Sequence, residues 1–326
     1  MATVVFGGAG FVGLNIVEAL LEKGEEVIVF DASDMPSSAM VAFASLPGRL
    51  ATAKGDVCDF ANVASVLSRE IDTLIFGAAV TAGLERDRDN PELTINVNLN
   101  GYLNALRASR DIGVRRVINL SSAGAYGEAA FGTETLEEET AADPRSIYSI
   151  TKYSSERVGD RMADVWGLDV VSVRLSAVFG RWERQTSVRD TPSPQFQILQ
   201  SAIAGRPALM KRRDSRDWIY APDVAKAVIL LRDSSKLKHR LYNVSTGTPW
   251  SVTDWGAELS RLRPGFECRL AEDAEEATID LHAPRDRKQM SIERLQADTG
   301  FQPNFGLVNS AADYDSWARG PGMDYI

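Results

Sequence analysis

Tyr148 and Lys152 stand four residues apart in a stretch, 147–166, whose pattern predicts one long helix, so both side chains fall on one helix face. Ser121 and Ser122 directly follow the apolar run 116–120 (RVINL), which reads as a strand. A serine, a tyrosine and a lysine can perform general acid–base chemistry on an alcohol or ketone without histidine. The phenol carries the proton, the ammonium favours the phenolate, and the Ser122 hydroxyl hydrogen-bonds the substrate oxygen. A free phenol titrates near 10, and each unit of lowering corresponds to ~1.4 kcal/mol. The chain has only two histidines, His239 and His282, neither at metal-ligand spacing to a partner. Neither a metal centre nor a histidine-based triad is expected. The YxxxK spacing alone is common on solvated helix faces, so its meaning depends on what surrounds it.

What surrounds it is a glycine turn. The short strand 3–6 runs into Gly7-Gly8-Ala9-Gly10-Phe11-Val12-Gly13, and a helix over 10–22 follows. The first glycines allow a tight turn and close approach of a pyrophosphate. Gly13 lets the helix lie against the strand, and the helix N-terminus offers free N–H groups to the phosphates. Asp31 ends the next strand, 18 residues past Gly13, where a carboxylate holds the adenosine ribose hydroxyls. That carboxylate repels a 2′-phosphate, and Ala32 and Ser33 supply no compensating arginine. The cofactor expected is NAD rather than NADP. Asp56 and Val57, after the third strand, are candidates to pair with and pack against the adenine.

The elements that must position these groups alternate. Strands at 26–30, 51–54, 73–76, 116–120 and 169–174 are separated by helices at 60–69, 93–112 and 147–166, the pattern of βαβ units in a parallel sheet. The strands are apolar throughout, as strands covered on both faces are. The 326 residues suffice for about two domains. We divide them at a soft boundary: 1–180 as the nucleotide-binding and catalytic part, 181–326 as an interleaved substrate lobe. With 44% hydrophobic and 25% charged residues, the chain is globular. A net charge of −9 argues against a nucleic-acid footprint. No apolar run reaches the ~20 residues a membrane span needs. The N-terminus has no basic flank or cleavage pattern, and Cys58 and Cys268 are isolated, so a cytoplasmic location is expected.

Several ordered motifs together carry a resemblance over nearly the whole length. They are GGAGFVG at 7–13, Asp31, GDV at 55–57, GAA at 77–79, SSAGAYG at 121–127, and Pro144-x-Ser146-x-Tyr148-x-x-x-Lys152. RLSAVFG at 174–180, RDWIYAPDVAKA at 216–227 and YNVSTG at 242–247 complete the set. The chain resembles the extended short-chain dehydrogenase/reductase superfamily, the group of NAD-dependent nucleotide-sugar epimerases and dehydratases. The resemblance implies a Rossmann-type doubly wound parallel sheet with a smaller mixed α/β C-terminal lobe. It implies Ser122, Tyr148 and Lys152 as catalytic residues, with Lys152 also holding the nicotinamide ribose. Ala78 and Ala79 would line the cofactor, Leu175 would lie near the nicotinamide, and a homodimer would form through the helices at 93–112 and 147–166.

Two departures bear on the substrate. Dehydratases of this group carry Thr-Asp-Glu where this chain has Ser122-Ala123-Gly124, so the acid and base for eliminating water are missing. Ala177 stands where nucleotide-sugar enzymes commonly have Asn, whereas Arg216 occupies the position that contacts a diphosphate. Residues 181–216 hold eight Lys/Arg against three Asp/Glu, which suggests an anionic substrate. Ser121, Ser122, Trp182 and Arg216 are the expected substrate contacts. Three functions stay open: a sugar epimerase, a net NAD-dependent dehydrogenase of a smaller sugar acid, and a non-catalytic dinucleotide-binding protein.

Overall fold

The computed structural model describes residues 2–132, 134–272, 275–323 and 325. Six strands in the first part of the chain, β1 (Ala2–Phe6), β2 (Glu26–Asp31), β3 (Arg49–Lys54), β4 (Ile71–Phe76), β5 (Arg116–Ser122) and β6 (Val170–Leu175), join Leu241–Val244 in one sheet. The spatial order is Leu241–Val244, β6, β5, β4, β1, β2, β3, and every pairing is parallel. The order reverses between β1 and β4, and in open α/β sheets a ligand crevice lies at such a reversal, beyond the carboxyl ends of the strands.

Helices cover both faces. They are α1 (Phe11–Glu22), α2 (Ser37–Phe43), α3 (Phe60–Val66), α4 (Leu84–Asp89), α5 (Pro91–Ile95), α6 (Gly101–Ile112) and α7 (Ile147–Trp166), with Ala221–Asp233 added from the later chain. β1 is buried at every residue because its side chains alternate between two cores. Val5 joins Leu14, Val17 and Leu21 of α1 and Val224 and Val228 of Ala221–Asp233. Val4 and Phe6 face the other way, toward Tyr102 and Leu106 of α6 and Ala163 of α7. Each such fully buried side chain contributes about 1.5–3 kcal/mol relative to exposure. The division near residue 180 does not follow the sheet, since Ala221–Asp233 and Leu241–Val244 return to it.

The helix expected over 93–112 contains a π-helical turn at Asn96–Asn100 between α5 and α6. That extra residue turns Asn98 inward. Its Oδ1 accepts the Val80 N–H at 2.8 Å, and its Nδ2 donates to Val80 O at 3.1 Å and to Thr151 Oγ1 at 3.0 Å. The segment after β4 is thereby tied to α7 beside Tyr148.

The remaining lobe is built from three two-stranded pairings and from the helices Pro194–Ile203, Val252–Leu262, Glu293–Thr299 and Leu307–Arg319. Its centre is aromatic: the Phe179 ring lies 5.3 Å from Tyr220, 5.5 Å from Trp250 and 5.9 Å from Trp255. Such pairs add about 0.5–1.5 kcal/mol beyond area burial.

Candidate active site

The glycine turn sits at the β1–β4 reversal. Gly7 has φ +76°, and a Cβ there would lie 2.5 Å from Ala78 N, so only glycine lets this turn close against the segment after β4. At Gly13 a Cβ would lie 2.2 Å from Gly7 O, a backbone atom that cannot move aside. Gly10 is the N-cap of α1, with no side-chain cap and no acidic residue in the first turn. The helix therefore presents unsatisfied N–H groups and the positive end of its dipole at the crevice. Phe11, Val12, Ala78 and Ala79 are half-buried around it.

Asp31, at the end of β2, accepts the Ala9 N–H at 3.1 Å and the Ser33 N–H at 2.9 Å. Burial raises its carboxyl, opposed by those amides and by the Arg184 guanidinium. Gly55 N donates to Asp31 O, which sets the end of β3 beside it. There Asp56 is exposed and accepts the Cys58 N–H at 2.8 Å, while Val57 is buried. These features suit a dinucleotide: an uncapped helix end for the pyrophosphate and an acceptor for the ribose hydroxyls.

Ser122, Tyr148 and Lys152 come together next to this cradle. Ser122 Oγ accepts the Gly124 N–H at 3.0 Å, which starts a 3-10 turn over Ala123–Tyr126 and fixes the hydroxyl. Burial pushes the Tyr148 phenol up, whereas the Ser122 hydroxyl, the Arg189 guanidinium and the Thr81 hydroxyl pull it down. Lys152 Nζ lies 5.8 Å from the Tyr148 ring centre and donates to Leu120 O at 2.8 Å. An ammonium has three donors, and that bond uses one. Burial lowers Lys152 to about 8, with Glu156 opposing. The arrangement can move a proton between the phenol and an oxygen held by Ser122. Leu175, at the end of β6, is buried.

Behind the site lies a buried ionic network absent from the sequence reading. Glu156 accepts Ser121 Oγ at 2.5 Å and Arg174 at 2.9 and 2.7 Å. Arg174 lies 4.3 Å over the Tyr126 ring, and Tyr126 donates to Asn243 Oδ1 at 2.7 Å. One sequence signal was available: Tyr148, Lys152 and Glu156 follow each other at i, i+4 and i+8 on one helix face. Thr81 and Asn98 had no such pattern, and Arg184 and Arg189 were visible only as members of the basic stretch 181–216.

Two expected substrate contacts, Ser121 and Trp182, lie elsewhere, and a third, Arg216, is paired. Ser121 is buried, and its hydroxyl serves Glu156 rather than the cleft, because β5 alternates and points it opposite to Ser122. Trp182 has no exposed surface; its ring is 5.4 Å from Phe43 and 5.2 Å from Trp317, and its Nε1 donates to Glu18 at 2.8 Å. Arg216 is 6% exposed and committed to Asp214 at 2.5 and 3.1 Å. The basic stretch around it is mostly paired rather than open. Arg181 meets Asp313, Arg189 meets Glu183, Arg212 meets Asp214 and Asp286, and Arg213 meets Asp254. His282 lies within reach of the Arg189 and Arg216 charges, which hold its imidazole below the usual range.

The chain is similar to proteins that share this architecture. The UDP-glucose 4-epimerase of Mycolicibacterium smegmatis is 26% identical over 324 residues, covering 96% of each chain. The structure of Thermus thermophilus UDP-glucose 4-epimerase in complex with NAD superposes with a TM-score of 0.77 at 26% identity, over 98% of this chain and 99% of that one. A dTDP-glucose 4,6-dehydratase from Streptomyces venezuelae, with NAD bound, shares the fold with a TM-score of 0.77 at 19% identity, over 100% and 99% of the two chains. The model of the NAD dependent epimerase/dehydratase family matches residues 3–245, which include the glycine turn, Asp31, Ser122, Tyr148 and Lys152, and the chain belongs to that family.

Proposed function

We propose that the protein is an NAD-dependent epimerase of a sugar, with a nucleotide-linked sugar as substrate. The observation that carries this reading is the Ser122–Tyr148–Lys152 cluster at the same carboxyl edge of the parallel sheet as the glycine turn and the uncapped end of α1. Held by the glycine turn and Asp31, bound NAD would supply reversible hydride acceptance at one substrate carbon. Tyr148 takes the hydroxyl proton as the carbon is oxidised and returns it on reduction. Ser122 holds the oxygen throughout, and Lys152, protonated at neutral pH, keeps the phenolate accessible.

Elimination of water is not part of the proposed reaction. Ala123 and Gly124, at the start of the 3-10 turn, stand where an acid and a base would be required. Ala177 favours a second reading, a net dehydrogenase of a smaller anionic sugar, since it has no side-chain hydrogen bond to give a nucleotide-linked one. We further propose a cytoplasmic homodimer. Ile95, Leu103 and Ile150 are exposed on or next to α6 and α7, the face such a dimer would cover. No helix is long and apolar enough to cross a membrane among the described residues.

UDP-hexoses, UDP-hexuronates and free sugar acids should each be incubated with the protein and NAD while NADH absorbance and epimer formation by NMR are followed together. Epimer without net NADH supports the first reading. NADH accumulating with substrate supports the second, and neither signal with any nucleotide sugar or sugar acid removes both.

A further inference from the structure

The loop over residues 181–193 is tied at both ends. At its start, Asn15 Nδ2 of α1 donates to Arg181 O at 2.8 Å. Trp182 has φ +65°, an unfavourable value for so bulky a residue, held by the ring cage of Phe43, Trp317 and Tyr325 and by Tyr325 Oη donating to Trp182 O at 2.9 Å. At its end, Thr81 N donates to Val188 O at 2.8 Å, Gly83 N donates to Asp190 Oδ2 at 2.7 Å, and Arg86 pairs with Asp190 at 2.7 Å. The loop thus runs from α1 to the segment after β4. It crosses the crevice at the β1–β4 reversal.

Two guanidinium groups on it reach that crevice. Arg184 Nη2 is 3.4 Å from Ala9 O, and the Arg189 guanidinium carbon is 5.3 Å from the Phe11 ring centre. Ala9 and Phe11 flank Gly10, the uncapped end of α1. The loop's own carboxylate is turned inward: Glu183 has no exposed surface, accepts Ser193 N and Oγ at 2.6 Å each, and takes Arg189 at 2.7 Å. Arg184 has no ion pair among the described residues, and its bond to Ala9 O is long. A charge-assisted bond to a phosphate oxygen would be shorter and about twice as strong.

We propose that Arg184, with Arg189 beside it, closes over the pyrophosphate of the bound dinucleotide, so that the glycine turn holds it from one side and the loop from the other. The cofactor then leaves only when a tie of the loop opens. The proposal concerns the cofactor site and holds whether the reaction is a net oxidation or an epimerisation.

The test uses the full chain freed of resident NAD, with ADP-ribose and adenosine titrated by calorimetry. Arg184→Ala should weaken ADP-ribose by about tenfold or more, the loss expected for a hydrogen bond to a charged group. Adenosine binding should change by less than about twofold, because it lacks the diphosphate. Arg184→Lys, which keeps the charge and loses the fork, should fall between. Asp190→Ala, which removes the acceptor for Arg86 and for the Gly83 N–H, should speed NAD release in a chase experiment, and an unchanged release rate overturns the role of the loop tie. Unchanged ADP-ribose affinity in Arg184→Ala overturns the proposal. So does an equal loss for adenosine, which would assign Arg184 to the ribose.

Discussion

Lys152→Met should yield a protein that is better folded at neutral pH and inactive. Lys152 is 4% exposed, and its ammonium has one protein partner, Leu120 O. Burial lowers it from 10.5 to about 8. At ~1.4 kcal/mol per unit, the folded chain disfavours the charged form by about 3 kcal/mol relative to the unfolded chain. Below pH 8 the lysine is protonated in both states, so that cost is present in full. Between pH 8 and 10.5 the unfolded chain keeps a proton that the folded chain has lost, so the cost fades and stability rises with pH. Methionine fills similar space without a charge to desolvate. The lost hydrogen bond to Leu120 O offsets about 1–2 kcal/mol, leaving a net gain of about 1–2 kcal/mol near pH 7. Urea unfolding of NAD-free protein from pH 6 to 10 measures it. The variant should have the higher midpoint at pH 6–7, and the gap should close above pH 8. A wild type more stable than the variant at pH 6, or a gap that does not change with pH, refutes burial as the cause of the lysine's altered titration.

Tyr148→Phe should remove most turnover while NAD binding by calorimetry stays near wild type, since the ring remains and only the proton carrier is gone; near-normal turnover would take Tyr148 out of the mechanism. Asp31→Ala should weaken NAD and narrow the preference over NADP, because the carboxylate that the Ala9 and Ser33 amides hold in place no longer meets the ribose; equal affinities in wild type would contradict this account. Gly13→Ala puts a Cβ 2.2 Å from Gly7 O and 2.7 Å from Gly8 Cα, so it should cost on the order of 1–3 kcal/mol and sharply reduce NAD affinity. Thermal melting and calorimetry check both effects, and normal NAD binding by that variant would show that the turn can relax.

Local chemistry made much of this molecule legible before any coordinates. The strand–glycine–helix order, Asp31, and the i, i+4 spacing of Tyr148 and Lys152 depend on backbone geometry that neighbouring residues impose on one another. The helix Ile147–Trp166 falls where its pattern places it. The π-helical turn was not legible, because its cause is Asn98 reaching a backbone segment 18 positions away. The fate of Ser121 and Trp182 was undetermined for the same reason, whereas the partner of Arg216 is local and only its choice between that partner and a ligand was open. Each is a residue type that serves equally well in a pocket or in a core, and only packing chooses. Ser121 faces Glu156 because β5 alternates, Trp182 fills a cage assembled from Phe43, Trp317 and Tyr325, and Arg216 neutralises Asp214 two positions before it. The excess of positive charge over residues 181–216 was real as a count. Its partners Asp254, Asp286 and Asp313 lie far along the chain, and an ion pair forms by distance in space. The sequence therefore determined which groups could do the chemistry, and the tertiary structure decided which of them face the cleft.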